Sequence, residues 1–361
     1  RLSIIDLSKA GHQPMSSDNN NFEITFNGEI YNHNDLREKL GQMQFNGHSD
    51  TETIINYFAT QGIEVVKNLN GIFAFGLLDK TNNKLHIVRD RFGVKPLYYY
   101  ADQDQFLFSS ELKPLFKLLD IKDIDKKALN EYLTLRYNPS PLTLYQNIYK
   151  VRPGEIVTLD LQSFKVSKKQ FTNDIQNIAL DHNKTESYWV DSLSETFEQA
   201  VKRQMMSDVE VGSFLSGGID SALITAVASK YSNAPIKTFC IGFEGATQQE
   251  DELEDAKISS KLLNTDHHDI NINPKEYFSF IETALYFLDE PNGTAPTLAQ
   301  YKVSQLAAKY VKVCLAGQGA DEIFMGYARY NAEQRRRKYL PLLKTIRPFK
   351  AIFNLPRLHR Y

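Results

Sequence analysis

The sequence predicts two unlike domains: an α+β domain built on antiparallel sheet, then a doubly wound α/β domain on parallel sheet. Three observations carry this reading. The first half strings together short alternating runs such as Phe22-Glu23-Ile24-Thr25-Phe26, separated by turn residues, as antiparallel strands do. From Trp189 onward, strand-like runs alternate with helical patterns, which argues for parallel crossovers. Between the halves, Ser163 to Lys184 is polar and rich in Lys, Gln, Asn and Asp, so 1–165 and 186–361 read as domains and 166–185 as a linker.

A length of 361 residues accommodates two domains, and 42% hydrophobic content supplies their cores. A net charge of −2 gives no general attraction to nucleic acid or to a membrane surface. The basic run Arg335-Arg336-Arg337-Lys338 falls in a helix-like segment and reads as a solvated face. No apolar run approaches membrane-spanning length. The two cysteines, Cys240 and Cys314, sit in apolar strand-like runs and read as small core residues. With no signal peptide in the sequence, a reducing cytoplasm fits. The chain starts at Arg1 in what reads as a strand through Leu7 and ends at Tyr361 without a closing element, so the expectation is a piece cut at both ends.

Within the first half, Asn27-Gly28 reads as a hairpin turn after Phe22 to Phe26. Asn32 to Leu40 reads as a helix, and Thr51 to Thr60 as another with Asp50 as its N-cap. Strand pairs follow at Gly71 to Asp79 with Lys84 to Arg89 and at Pro96 to Tyr100 with Gln105 to Ser109, and Gly154 to Leu161 closes the series. In the second half an amphipathic helix over Trp189 to Met205 precedes a strand over Val209 to Leu215 and a helix over Ala222 to Lys230. Then come strands at Lys237 to Phe243, Asp266 to Ile272 and Val311 to Leu315. Helices are expected over Asp251 to Leu263, Pro274 to Leu288 and Ala295 to Tyr310.

Two stretches carry chemistry. Ser216-Gly217-Gly218-Ile219-Asp220-Ser221 turns a strand into a helix through two glycines. Such a turn leaves backbone N–H groups and the positive end of a helix dipole for phosphate oxygens. Asp220 would repel bare phosphate but suits a magnesium ion between the two. At the end of the last strand, Ala316-Gly317-Gln318-Gly319-Ala320-Asp321-Glu322 offers a second metal carboxylate, Asp321. In the first half, polar groups gather at Arg1, at Asn27 and Glu29, and at Asp50. A guanidinium can clamp a carboxylate, carboxylates can hold an ammonium, and an amide with a backbone N–H can stabilise an oxyanion. On residue chemistry alone, surface turns and caps are the simpler account. His267-His268 have no partner at metal-ligand spacing and read as half-buried or surface residues.

The motif S-G-G-x-D-S resembles the pyrophosphate loop of the ATP-pyrophosphatases. Arg1 to Asp6, Phe26-Asn27-Gly28-Glu29-Ile30-Tyr31-Asn32, Ser49-Asp50-Thr51-Glu52 and Asp90 to Tyr99 occur in the order found in glutamine-dependent asparagine synthetases. That resemblance implies a class II glutamine amidotransferase domain of the αββα N-terminal-nucleophile fold. It also implies an ATP-pyrophosphatase domain of the adenine-nucleotide α-hydrolase type. It assigns glutamine binding to Arg1, Leu2, Ile5, Asn27, Gly28, Glu29 and Asp50, with Asn27 and Gly28 as the oxyanion hole. Phe214, Leu215, Ser216, Gly217, Gly218, Asp220, Ser221, Ile241, Ala316 and Gly317 would contact ATP, and Asp220 and Asp321 would hold Mg²⁺. Many family members carry Glu at the position of Gln318, a residue linked to forming the acyl-adenylate. Asp289-Glu290-Pro291 recurs in the family and reads equally as a helix end stopped by proline.

The family's cysteine nucleophile would lie upstream of Arg1 and its catalytic lysine beyond residue 361, so the 361 residues are expected to be inactive alone. For the intact protein the resemblance implies glutamine cleavage to ammonia, activation of aspartate as β-aspartyl-AMP by ATP with loss of pyrophosphate, and amidation to asparagine. One alternative is the same architecture amidating or cyclising another carboxylate; the other is a non-catalytic nucleotide-binding piece. The implied partners are glutamine, aspartate and ATP, with no nucleic acid or membrane and a homodimer left open.

Overall fold

A computed structural model describes residues 3–120, 123–172, 178, 181, 183–245, 252–292 and 296–346, the last six by backbone alone. The described residues of the first half form the strands β1 (Met15–Ser16), β2 (Phe22–Ile30), β3 (Gly71–Asp79), β4 (Lys84–Arg89), β5 (Tyr98–Ala101), β6 (Phe106–Ser109), β7 (Ile148–Lys150), β8 (Glu155–Asp160) and β9 (Val166–Gln170). With them are the helices α1 (His33–Lys39), α2 (Asp50–Gln61), α3 (Leu112–Leu119) and α4 (Lys126–Leu135). Two antiparallel sheets form, one in the order β1-β2-β3-β4-β8-β9 and a smaller one in the order β6-β5-β7.

The layers follow from which face of each strand is apolar. Phe22, Ile24 and Phe26 of β2 and Phe73, Phe75 and Leu77 of β3 pack on Leu36 of α1 and Ile54, Ile55 and Phe58 of α2. The opposite face of the large sheet presents Ala74, Ile87 and Val157 to Tyr99, Phe106 and Phe108 of the small one. Leu112 and Leu115 of α3 then cover the outer face of the small sheet at Tyr98 and Ile148. β3 is buried on both faces, so it reads as a nearly continuous apolar run instead of an alternating one.

Several expectations give way here. Residues 3–7 form no strand, although Ile5 is buried; Arg1 and Leu2 lie outside the described residues. Asn27-Gly28 is no turn: β2 runs straight through, with Phe22 opposite Asp79 and Ile30 opposite Gly71. A full ladder of interstrand hydrogen bonds outweighs the local turn preference. Gly28 has φ +150°, and a Cβ there would collide with the Ile72 carbonyl oxygen, so only glycine continues the strand at this point. The cap of α2 is Ser49, whose Oγ accepts the Glu52 N–H at 3.2 Å, and Asp50 is the first helical residue. The supposed linker begins with β9, an exposed edge strand pairing with β8; its lysines are what a solvated sheet edge uses to resist further pairing. Helices α3 and α4 were not expected.

The second half contains α5 (Glu186–Gln204), β10 (Val211–Phe214), α6 (Ile219–Lys230), β11 (Lys237–Phe243), α7 (Leu253–Leu263) and β12 (Asp266–Ile272). There follow α8 (Pro274–Ser279), α9 (Ile281–Leu288), α10 (Pro296–Ala307), β13 (Val313–Leu315), α11 (Ala320–Phe324) and α12 (Ala328–Ile346). The four strands form a parallel sheet in the order β12-β11-β10-β13. Val201 of α5 and Val227 and Ala228 of α6 pack on one face with Val211 and Leu315, while Val303 and Ala307 of α10 pack on Phe239 from the other. The single helix expected over Pro274 to Leu288 is two helices, broken at Phe280, which turns inward and is buried against Ile272 and Ala284. Chain order reverses between β10 and β13, so a crevice opens where their carboxyl ends diverge.

His267 and His268 lie within β12, both half-buried. His267 Nδ1 is 2.9 Å from Thr238 Oγ1, and the His268 ring stacks on Tyr310 with centroids 4.0 Å apart. In α12, Arg336 and Arg337 pair with Glu333 on the exposed surface, as a solvated helix face does. Among the described residues, polar contacts join the halves in two patches. Asp208 Oδ2 accepts the Asp6 N–H at 2.8 Å and lies 2.7 Å from His48 Nε2. Lys113 and Lys150 meet Asp289 and Glu290.

Candidate functional site

The first cavity, about 550 Å³, lies where β2 and β3 meet the start of α2 and the end of β6. Ile5, Asn27, Gly28, Glu29 and Asp50 all line it, so the structure brings together every expected residue of this group that it describes. β2 supplies three of them, and Gly28 lets the strand pass while Asn27 and Glu29 keep their places on either side. Asp50 is fixed by the backbone: its Oδ2 accepts the Ile30 N–H at 3.0 Å and its Oδ1 the Thr51 N–H at 2.8 Å.

Glu29 is different. The residue is 8% exposed, and its Oε1 is buried without a hydrogen-bond partner among the described residues. Burial, with a smaller contribution from the neighbouring Asp50 charge, pushes its pKa up to about 7, while Lys95 pulls the other way. A buried carboxylate with an open acceptor beside a second carboxylate is a place for a cation.

The loop from Asp90 to Lys95 owes its shape to a buried carboxylate and a half-buried guanidinium. Asp90 accepts the N–H groups of Phe92, Val94 and Lys95, each at 3.0 Å. The Arg89 guanidinium donates to the carbonyls of Lys95, Val151 and Gly93 at 2.7, 2.8 and 2.7 Å. This loop is a scaffold that sets Lys95 within electrostatic reach of Glu29.

Two contributors escape sequence reasoning. Gln13 lines the cavity, accepting the Phe26 N–H at 2.7 Å and donating to Thr51 Oγ1 at 3.3 Å. Ser110 accepts from Asn27 Nδ2 at 3.1 Å. Both contacts join distant parts of the chain, and no local pattern marks them.

The second cavity, about 600 Å³, sits at the carboxyl ends of β10, β11 and β13. Phe214, Leu215, Ser216, Gly218, Asp220, Ser221, Ile241, Ala316, Gly317, Gln318 and Asp321 all line it, as expected. Gly217 does not: it faces α7, and a Cβ there would press on Asp255 Cβ at 2.8 Å. Its glycine serves packing of the loop against that helix. The loop is closed on itself by Ser216 and Ser221, whose hydroxyls lie 3.0 Å apart, with the Ser216 N–H donating to Ser221 Oγ at 3.1 Å. Gly218 is the N-cap of α6 and provides no side-chain cap, so the first turn of α6 presents its N–H groups to the cavity.

Asp220 and Asp321 leave β10 and β13 at the same end of the sheet, because these strands are parallel neighbours with Ser213 opposite Leu315. A Cβ on Gly317 would come within 3.1 Å of Asp220 Cβ, which shows how closely the two loops approach. Among the described residues no three His, Cys, Asp or Glu side chains converge on a metal site. Two carboxylates facing one cavity suit Mg²⁺, which takes a few protein oxygens and completes its shell with phosphate and water. Glu252, Gln300 and Tyr327 also line this cavity and were not anticipated.

Cys240 and Cys314 both belong to strands of the second sheet, and burial pushes the Cys314 thiol up to about 12. Neither lines the first cavity. Among the described residues no helix is long and apolar enough to cross a membrane.

Residues 1–172 match the glutamine amidotransferase domain family and residues 192–360 the asparagine synthase family. The chain is 35% identical over 345 residues to putative asparagine synthetase [glutamine-hydrolyzing] 2 of Methanocaldococcus jannaschii, covering 91% of this chain and 66% of that protein. It is 37% identical over 354 residues to asparagine synthetase [glutamine-hydrolyzing] 1 of Bacillus subtilis, covering 98% of this chain and 53% of that protein. The chain thus spans between half and two thirds of the length of these relatives.

Proposed function

Because the chain belongs to the family of glutamine-hydrolysing asparagine synthetases, we propose that it carries the amino-acid and nucleotide sites of an ATP-dependent enzyme that makes asparagine from aspartate with glutamine as nitrogen donor. The first domain would then be of the N-terminal-nucleophile type and the second of the adenine-nucleotide α-hydrolase type. The observation that carries the reading is the open, buried Glu29 carboxylate beside Asp50, a receptor for the ammonium of a zwitterion. The Asn27 side chain and the Gly28 N–H are offered to the oxyanion of a glutamine amide under attack. Arg1, Leu2 and Ile5 would complete the grip on the substrate. The thiol for that attack comes from neither Cys240 nor Cys314, since both belong to the second sheet.

In the second cavity, the first turn of α6 receives the departing diphosphate, and Phe214, Leu215, Ile241 and Gly317 would face the nucleoside. Asp220 and Asp321 would hold Mg²⁺, which neutralises the charge that would otherwise keep a carboxylate from attacking the α-phosphorus. Adenylation converts a poor electrophile, the aspartate β-carboxylate, into β-aspartyl-AMP, which ammonia opens. Gln318 stays uncharged, so at this position it orients by hydrogen bonds and neither removes a proton nor ligates metal strongly.

Calorimetric titration of the chain with glutamine and with MgATP tests the two sites separately, and exchange of labelled pyrophosphate into ATP tests the chemistry. Exchange that requires aspartate supports the reading. Exchange that ignores aspartate and responds to another carboxylate replaces the substrate.

A further inference from the structure

Asp289 and Glu290 lie outside both cavities, at the end of α9 in the second domain, yet both are seated on lysines of the first. Lys113 Nζ is 2.7 Å from Asp289 Oδ1 and also donates to the Tyr286 carbonyl at 3.3 Å. Lys150 Nζ is 2.6 Å from Glu290 Oε2 and donates to the Asn138 carbonyl at 2.7 Å. These are not rim contacts: the side chains of Asp289, Glu290 and Lys150 are 9%, 14% and 15% exposed. Asp289 also holds φ +59° and ψ −45°, a conformation that side-chain-bearing residues adopt only where their surroundings impose it.

The positions of the partners matter. Lys113 is in the first turn of α3, directly after Ser109 and Ser110, which line the first cavity. Pro291 follows Glu290, and α10 opens at Pro296, with Pro296, Ala299 and Gln300 lining the second cavity. The ion pairs thus join two stretches of chain that each lie next in sequence to residues lining a cavity.

We propose that Asp289 and Glu290 are interdomain positioning residues: seated on Lys113 and Lys150, they hold the start of α10, and with it one wall of the second cavity, in fixed register with the Ser109–Ser110 wall of the first. The assignment of that second cavity to a nucleotide rests on the function proposed above; the docking itself does not. Half-buried pairs of this kind add little net stability, but removing one partner strands the other charge away from water. A clamp of this sort is therefore broken by a single charge reversal and restored by a swap of the two charges.

The test uses the 361-residue chain with Asp289→Lys, Lys113→Asp and the double exchange, and with Glu290→Gln as a milder variant that keeps shape. Amide hydrogen exchange is read over 112–119 and 296–307, and MgATP affinity by titration. Each charge reversal is expected to speed exchange in both segments at least tenfold and to weaken MgATP binding about tenfold, the double exchange to recover most of both, and Glu290→Gln to fall between. Unchanged exchange in the single variants overturns the proposal, as does a double exchange that recovers nothing. If the parent chain binds no MgATP, the nucleotide reading fails, while the exchange data still decide whether the clamp holds α10.

Discussion

The two cavities arrange their charged and polar groups in opposite ways. The first keeps its charges inside: Glu29 and Asp50 are 8% and 3% exposed, and Asp50 is tied down by backbone N–H groups. The second keeps its donors on the backbone of glycine-bearing loops at an open crevice, with Gly218, Ala316 and Gln318 exposed. A small zwitterion has little charge to offer and needs a preformed, desolvated socket. A triphosphate brings its own charge and its own cation, so exposed N–H groups and two carboxylates suffice. The first site should therefore be costly to the fold and the second cheap.

That contrast can be broken or sharpened by substitution. The largest effect is expected from Gly28→Ala, where a positive φ and the Ile72 carbonyl both oppose a side chain; it should destabilise the first domain by about 3 kcal/mol or more, read by denaturant unfolding.

Glu29→Gln comes next and should move binding and stability in opposite directions. With a folded pKa of about 7 against an ordinary 4.5, the folded state holds a proton that the unfolded chain has lost between those values. Stability of the parent therefore falls as pH rises from about 4.5 to 7, and the neutral glutamine removes that slope. At pH 8 the variant should be more stable by about 2–3 kcal/mol, with the gain vanishing near pH 4, while glutamine binding drops at least about a hundredfold. A variant no more stable at pH 8 than its parent would show that Glu29 is not desolvated.

Asp220→Asn and Asp321→Asn should each weaken MgATP binding about tenfold without lowering the melting temperature, since neither carboxylate is buried in a core. A drop in stability comparable to that of a core substitution would erase the contrast between the sites. The smallest effect is expected at His48. Its hydrogen bond to Asp208 raises its pKa, so the contact between halves is strongest when pH is below the ordinary value of 6.5 and weakens as pH passes through the raised one. His48→Gln should flatten that small pH dependence of thermal unfolding.

What could be read from the chain was what local rules govern. The strands Gly71–Asp79, Lys84–Arg89, Lys237–Phe243 and Asp266–Ile272 fall where apolar patterning puts them. The strand-to-helix corner at Ser216 to Ser221 was likewise legible, because paired glycines between a strand and a helix mark a turn. Asn27-Gly28 misled because a turn preference is worth little against a continuous ladder, and Val166–Gln170 because an edge strand in water looks like a linker. Gln13 and Ser110 were invisible because their hydrogen bonds span chain separations on which sequence pattern is silent. The sequence by itself determined which chemical groups are available and which stretches bury apolar faces. Only the tertiary structure decided that Glu29 is desolvated, that Gly217 serves α7 instead of the cavity, and that Asp289 and Glu290 reach the other domain. Burial and long-range charge pairing depend on what else the chain brings alongside.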